Sequence, residues 1–188
     1  MFRNEVLKRP TLYRVAIGVL LVASLVIVTL SHTTYEMKVH GVVTSLSFSV
    51  IEYLYTYKDT GRGKTTFEQV FINMLTLPVA LKLFRVLTDQ ILFPYVARWA
   101  WTEYAIRIAL FPILVWFVEL WEAFVLWLLF GYNPAWDYSK SSASLFWGAI
   151  DYRMWVDWMT LGITMEAIYW PLMDSVLKSV PEMAGGLR

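Results

Sequence analysis

Residues 108–130 are apolar at every one of 23 positions except Glu119 and Glu122. As an α-helix rising about 1.5 Å per residue, such a stretch outruns the ~30 Å hydrocarbon core of a bilayer. A water-soluble fold would have to bury this helix on all sides, and the chain has only 188 residues with which to do it. Composition points the same way. Apolar residues make up 58% and charged residues 16%, against roughly 45–50% and about 25% in soluble domains. Lipid is therefore the expected solvent.

Four further segments complete an all-α reading: a polytopic membrane helical bundle of about five membrane helices, one of them kinked or interfacial. A basic segment, 1–11, precedes a first apolar run at 12–31 that only Arg14 breaks. That run is longer than a signal-peptide core of roughly 7–15 residues and has no small-x-small site after it, so it reads as an uncleaved span. A helix at 36–57 carries Gly41, Ser45 and Ser49 at four-residue spacing, with Glu52 extending the line. Small residues so spaced let helices approach closely, so this stripe is expected to face protein.

The stretch 58–66 reads as a loop. In 67–87, Pro78 interrupts the pattern and Lys82 and Arg85 sit near the end, which makes this the kinked or interfacial member. Trp99, Trp101 and Tyr104 beside Arg98 have the composition of a head-group belt. A last span is placed at 145–173, ended by Pro171, with 174–188 as a tail. The membrane domain is thus 12–173.

Charge excludes some functions and leaves orientation open. Sixteen basic against fifteen acidic residues give +1, so no general electrostatic case for nucleic-acid binding exists. Without cysteine there are no disulfides, thiolate metal sites or cysteine nucleophiles. Counting Lys and Arg on the two sides of a five-span arrangement gives near equality, so the positive-inside rule does not decide.

Several motifs fail their own chemistry. Residues 58–66, KDTGRGKTT, imitate a phosphate-binding loop, but the required first glycine is Lys58 and no strand precedes it. A di-iron bundle needs Glu-x-x-His, yet neither His32 nor His40 lies three residues after a glutamate. Neither histidine has a haem motif around it, and no G-x-S-x-G is present. The reading is of a chain that is not an enzyme, with no cofactor and no metal site.

The candidates that remain are acids inside apolar stretches: Glu52, Glu119, Glu122, Asp157 and Glu166. A charge at mid-membrane is costly and normally faces protein or water with a partner. Glu119 and Glu122, three apart, share a helix face. Either they form a proton or cation site, or they are a structural pair for which Arg107, Arg153 or another subunit supplies the charge. The second reading is preferred here because no ion-pathway signature lies elsewhere. Arg85, Arg98 and Arg107 are candidates for holding phosphates of membrane lipids, cardiolipin and other anionic lipids included.

Between 39 and 168 the chain resembles a known family. Trp121-Glu122, then Trp136-Asp137-Tyr138-Ser139, then Trp147-Gly148, Asp151-Tyr152 and Met165-Glu166 resemble the transmembrane protein 229 family and its bacterial relatives catalogued as type IV ABC-transporter permeases. Upstream, His40-Gly41 and Glu52-Tyr53 are similar to that family's first helix. The chain departs from the pattern in an extra span before His40, in Ile51 where the family has Trp, and in a shift around Trp158. The resemblance implies a multi-span membrane protein without an established activity. Asp137 would cap the last helix or accept backbone N–H groups.

The function expected from all this is a non-catalytic integral membrane subunit or scaffold of a larger membrane complex, in contact with lipid and other membrane subunits. A respiratory or ATP-synthase-type assembly of the mitochondrial inner membrane suits its character. The alternative is a small proton-coupled carrier or channel using the intramembrane carboxylates.

Overall fold

The computed structural model describes residues 11–60, 65–96 and 99–179. Five long helical segments dominate. α1 spans Leu12–His32 and α2 Tyr35–Thr60. α3, Phe67–Arg85, runs on through a π-helical turn, Val86–Leu92, into the short α4, Phe93–Val96. α5 covers Ala100–Phe130. The last segment is α6, Trp155–Thr164, a π-helical turn at Met165–Tyr169, and α7, Trp170–Ser179. Between α5 and α6 lies a two-residue antiparallel ribbon, β1 (Ser144–Leu145) against β2 (Ile150–Asp151), with Ser144 opposite Asp151.

Three of the helical stretches, Leu12–His32, Phe67–Val96 and Trp101–Phe130, are long and apolar enough to cross a membrane. The outward faces are apolar too: Leu20, Ile27, Leu46, Val50, Phe117 and Ile163 are each at least half exposed. A folded chain with this surface fits an integral membrane protein, since monomers in water rarely show such continuous greasy faces.

Contacts at the helix ends show an up-and-down arrangement. Arg14, early in α1, donates from its guanidinium to the carbonyl of Trp127, late in α5, at 2.6 Å, and stacks 3.7 Å over that ring. At the other end of α1, Lys82 donates to the His32 carbonyl and Lys38 to the Leu30 carbonyl. Two ammonium groups therefore satisfy carbonyls that the end of a helix leaves without partners, and they suit its negative pole. Thr11 and Thr66 cap the starts of α1 and α3 by accepting from Arg14 N–H and Gln69 N–H. Gly131, at φ 85°, ends α5 in the left-handed turn that favours glycine.

α3 and α5 make the centre of the bundle. α3 packs on α1, α2 and α5, while α5 also receives α6. Ile72, Val125, Leu126 and Ala135 form one buried cluster; Ala123, Ala149 and Ile150 form another, and Trp136 touches both. The stripe Gly41, Ser45, Ser49 is buried against α3. Ser45 donates to the Val70 carbonyl at 2.9 Å, and from α1 Thr29 donates to the Leu75 carbonyl at 2.7 Å.

Several expected boundaries move. The loop placed at 58–66 begins later, because α2 continues to Thr60; residues 61–64 lie outside the described residues. Pro78 does not end or expose its helix: it sits buried within continuous α3, and the irregular turn comes eight residues later. The mixed stretch after 87 is helical through Val96, and α5 starts at Ala100 instead of 108. The span expected from 145 begins only at Trp155, since residues before it form the ribbon and 3-10 turns. Pro171 does not end the segment: it follows directly on the π-helical turn, and the helix runs on to Ser179, into the region read as a tail.

Candidate functional site

The five acids expected inside the membrane separate into three places. Glu119 and Glu122 are buried in the middle of the bundle, with 6% and 1% of their surface exposed. Glu52, half-buried on α2, accepts from the Thr65 hydroxyl at 3.2 Å and lies within electrostatic reach of both. Asp157 is exposed in the first turn of α6, beside the connecting loop. Glu166 lies toward the opposite end, 3.0 Å from Arg107.

Neither arginine expected to neutralise Glu119 and Glu122 does so. Arg107 is held by Glu166 and, at 3.6 Å, by Asp89; Arg153 is held by Asp151 at 2.7 Å. The two glutamates instead line a cavity of about 100 Å³ between α2, α3, α5 and α6, together with Thr44, Ser47, Asn73 and Tyr169 and otherwise apolar side chains. Its lining includes no Lys, Arg or His. Glu122 Oε1 is buried without a hydrogen-bond partner among the described residues. At the far side of the cavity, the Tyr169 hydroxyl lies 3.2 Å from His40 Nδ1.

A further polar row was not picked out from the sequence. Gln69, Asn73 and Thr76 share one face of α3 and are all buried. Their spacing of four and three is the helical signature that reveals such a row. Gln69 Oε1, Asn73 Nδ2 and Thr76 Oγ1 are, like Glu122 Oε1, buried without hydrogen-bond partners among the described residues. An apolar bundle seldom tolerates so many unpaired polar atoms unless they serve a ligand, an ion or water.

The loop residues Trp136, Asp137, Tyr138 and Ser139 fold onto the ribbon. Trp136 donates its indole N–H to the Ala149 carbonyl at 2.8 Å, and Tyr138 N–H donates to the Gly148 carbonyl at 3.0 Å. Asp137 caps no helix; its carboxylate accepts the N–H of Ser139, two residues on, at 2.8 Å. The organising acid here is Asp151. It accepts from the Ser141 hydroxyl at 2.6 Å and from the Arg153 backbone and guanidinium. The Arg153 guanidinium holds its carboxyl well below the usual carboxylate range, against a burial that works the other way, with Ser141 and the Arg153 N–H adding to the effect.

Because this pKa is depressed by folding, the stability it confers is complete above the ordinary aspartate value of about 3.9 and drains away as pH falls below it. Asp151→Asn should cost the loop about 1–3 kcal/mol. Amide exchange at Tyr152, whose N–H donates to the Ala143 carbonyl, should quicken by about tenfold or more at neutral pH. The variant and the parent should converge at low pH. Equal protection of the two at neutral pH would refute this role for Asp151.

Arg85 and Arg107 line one polar cavity where α3, α5 and α7 meet. Arg98 lies outside the described residues. Among the described residues no three His, Cys, Asp or Glu side chains come together as a metal site would require. No protein-family model, curated protein or solved structure matches the chain.

Proposed function

We propose that this chain is a multi-pass membrane protein whose central carboxyl groups carry protons, as the site of a small proton-coupled carrier or channel. The observation that carries this reading is the seclusion of Glu119 and Glu122. An acid awaiting a neighbouring subunit's cation belongs on an outer face. These two are enclosed by the chain's own helices, with no cation in the cavity lining and one carboxylate oxygen unpaired. A carboxyl group in such surroundings is a site for a proton or a cation. Protonatable groups also follow one another across the bundle: Glu52 near the loop, Glu122 and Glu119 on the cavity, then Tyr169 and His40.

The test is reconstitution of the full chain in sealed vesicles loaded with a pH-sensitive dye. With a potassium gradient and valinomycin as the driving force, proton entry should exceed that of protein-free vesicles. Glu122→Gln, which keeps the shape and removes the titration, should cut it about tenfold or more. Asp157→Asn, in the exposed first turn of α6, should leave it unchanged. Flux that is absent in the parent, or equal in parent and Glu122→Gln, refutes the reading.

The accessory-subunit reading keeps one observation of its own. Phe146 and Trp147 hold positive φ angles of 48° and 60° while both are more than half exposed. Strain kept at an aromatic surface tip fits a docking point for another membrane subunit. Native mass spectrometry from mild detergent separates the two readings: a lone chain that conducts protons favours the first, and a stoichiometric complex without flux favours the second.

A further inference from the structure

Where α3, its π turn, α5 and α7 converge, a cavity of about 650 Å³ opens at the end of the bundle opposite the ribbon. It brings together Arg85, Asp89, Arg107, Glu166, Trp170 and Asp174. Two arginines in one place would ordinarily speak for an anion. Arg107, however, is already occupied, lying 3.0 Å from Glu166 and 3.6 Å from Asp89. Arg85 and Asp174 are the charges left over. Neither makes an ion pair among the described residues, and the Arg85 guanidinium rests 5.3 Å above the ring of Trp170.

The field of the cavity is therefore one free positive and one free negative group, backed by an internally neutralised set. A simple anion entering to meet Arg85 also meets three carboxylates. A simple cation entering to meet Asp174 also meets two guanidinium groups. A group carrying both charges satisfies the pair. Leu81, Phe111 and Leu114 belong to the walls of this cavity and of the apolar one beside it, so the polar chamber continues directly into an apolar passage.

We propose that this cavity binds the head group of a zwitterionic phospholipid, with its phosphate at Arg85, its ammonium at Asp174 and an acyl chain over Leu81, Phe111 and Leu114. The shared chemistry is a phosphate ester bearing an ammonium, and the apolar passage selects the lipid over its free head group. This goes beyond the proton-carrying reading and does not depend on it.

The experiment is native mass spectrometry of the delipidated full chain in mild detergent. The probes are equimolar phosphatidylcholine, phosphatidylethanolamine and phosphatidylglycerol, with free phosphocholine in a separate arm. The zwitterionic lipids should be retained over phosphatidylglycerol by about tenfold, a difference of about 1.4 kcal/mol. Arg85→Ala should lose that retention. Asp174→Asn should reverse the preference, because removing the negative group favours the anionic lipid. Both residues are exposed, and circular dichroism of unchanged helix content shows that the variants fold. Glu122→Gln should retain the lipids as the parent does, even where it abolishes proton flux. Phosphatidylglycerol retained as well as the others, or retention indifferent to both variants, overturns the proposal. Displacement of the lipids by free phosphocholine at equal concentration overturns its lipid part.

Discussion

Gly41→Val is expected to part α2 from α3. A Cβ at position 41 would stand 2.4 Å from Pro78 Cγ and 2.6 Å from its Cδ. Those atoms belong to a ring locked to the backbone, so no rotamer change can yield the space. Overpacking of this kind costs typically 1–3 kcal/mol, and with a rigid neighbour the expectation is about 3 kcal/mol. The Ser45 hydrogen bond to the Val70 carbonyl should go with the contact, since both depend on the same close approach. Thermal unfolding of the purified chain in detergent measures this. Ser45→Ala, which removes one hydrogen bond without adding an atom, should cost only about 1 kcal/mol. If Gly41→Val melts with the parent, the close approach is not what holds these two helices together.

The second large effect is expected at Gly148. Its φ of +97° is a conformation that side chains rarely adopt, and an added Cβ would come within 2.8 Å of Asp137 Oδ1 and of the Ser139 nitrogen. Those two atoms are already bonded to each other. Gly148→Ala therefore combines backbone strain with a clash, for about 3 kcal/mol in all. The ribbon should lift from the loop, and Trp136 should lose its bond to the Ala149 carbonyl. Faster limited proteolysis between 137 and 152, with a red shift in tryptophan emission, would report it. Asp137→Ala in the same chain should recover part of the loss by clearing the clash. No recovery would mean that backbone strain alone accounts for the effect.

What the sequence disclosed follows from what each signal measures. Apolar runs measure where lipid is tolerated, not where a helix stops. The first run, read as 12–31, falls within a residue of α1, because a polar cap lies at each end. At Thr88–Gln90 and at Trp99–Arg107, by contrast, polar side chains interrupt the run while the backbone continues to hydrogen-bond to itself, so those helices outlast their apolar parts. The error at 145–154 has the opposite origin. Leu145, Phe146, Trp147 and Ile150 look like the start of a span, but Gly148 at positive φ and the hydrogen bonds of Asp151 fold them into a ribbon.

The candidate site was legible in its acids and not in its surroundings. Glu119 and Glu122 announced themselves by charge inside an apolar run. Their expected arginine partners did not, because pairing depends on which helices meet, and Arg107 and Arg153 each have a carboxylate nearer to hand. Gln69, Asn73 and Thr76 carry no charge, so only their helical spacing marks them in the sequence.

The two π-helical turns have a consequence for how the rest of each helix is aimed. A helix that admits an extra residue into one turn sets its later side chains back by about 100° around the axis relative to an undisturbed α-helix. Trp170 and Asp174 follow Met165–Tyr169, and Phe93 follows Val86–Leu92. A helical wheel drawn continuously through either stretch therefore assigns these residues to the wrong azimuth. The two chambers share a wall, yet Trp170 and Asp174 of the outer one are aimed in a different phase from Leu161 of the inner one, which precedes the turn.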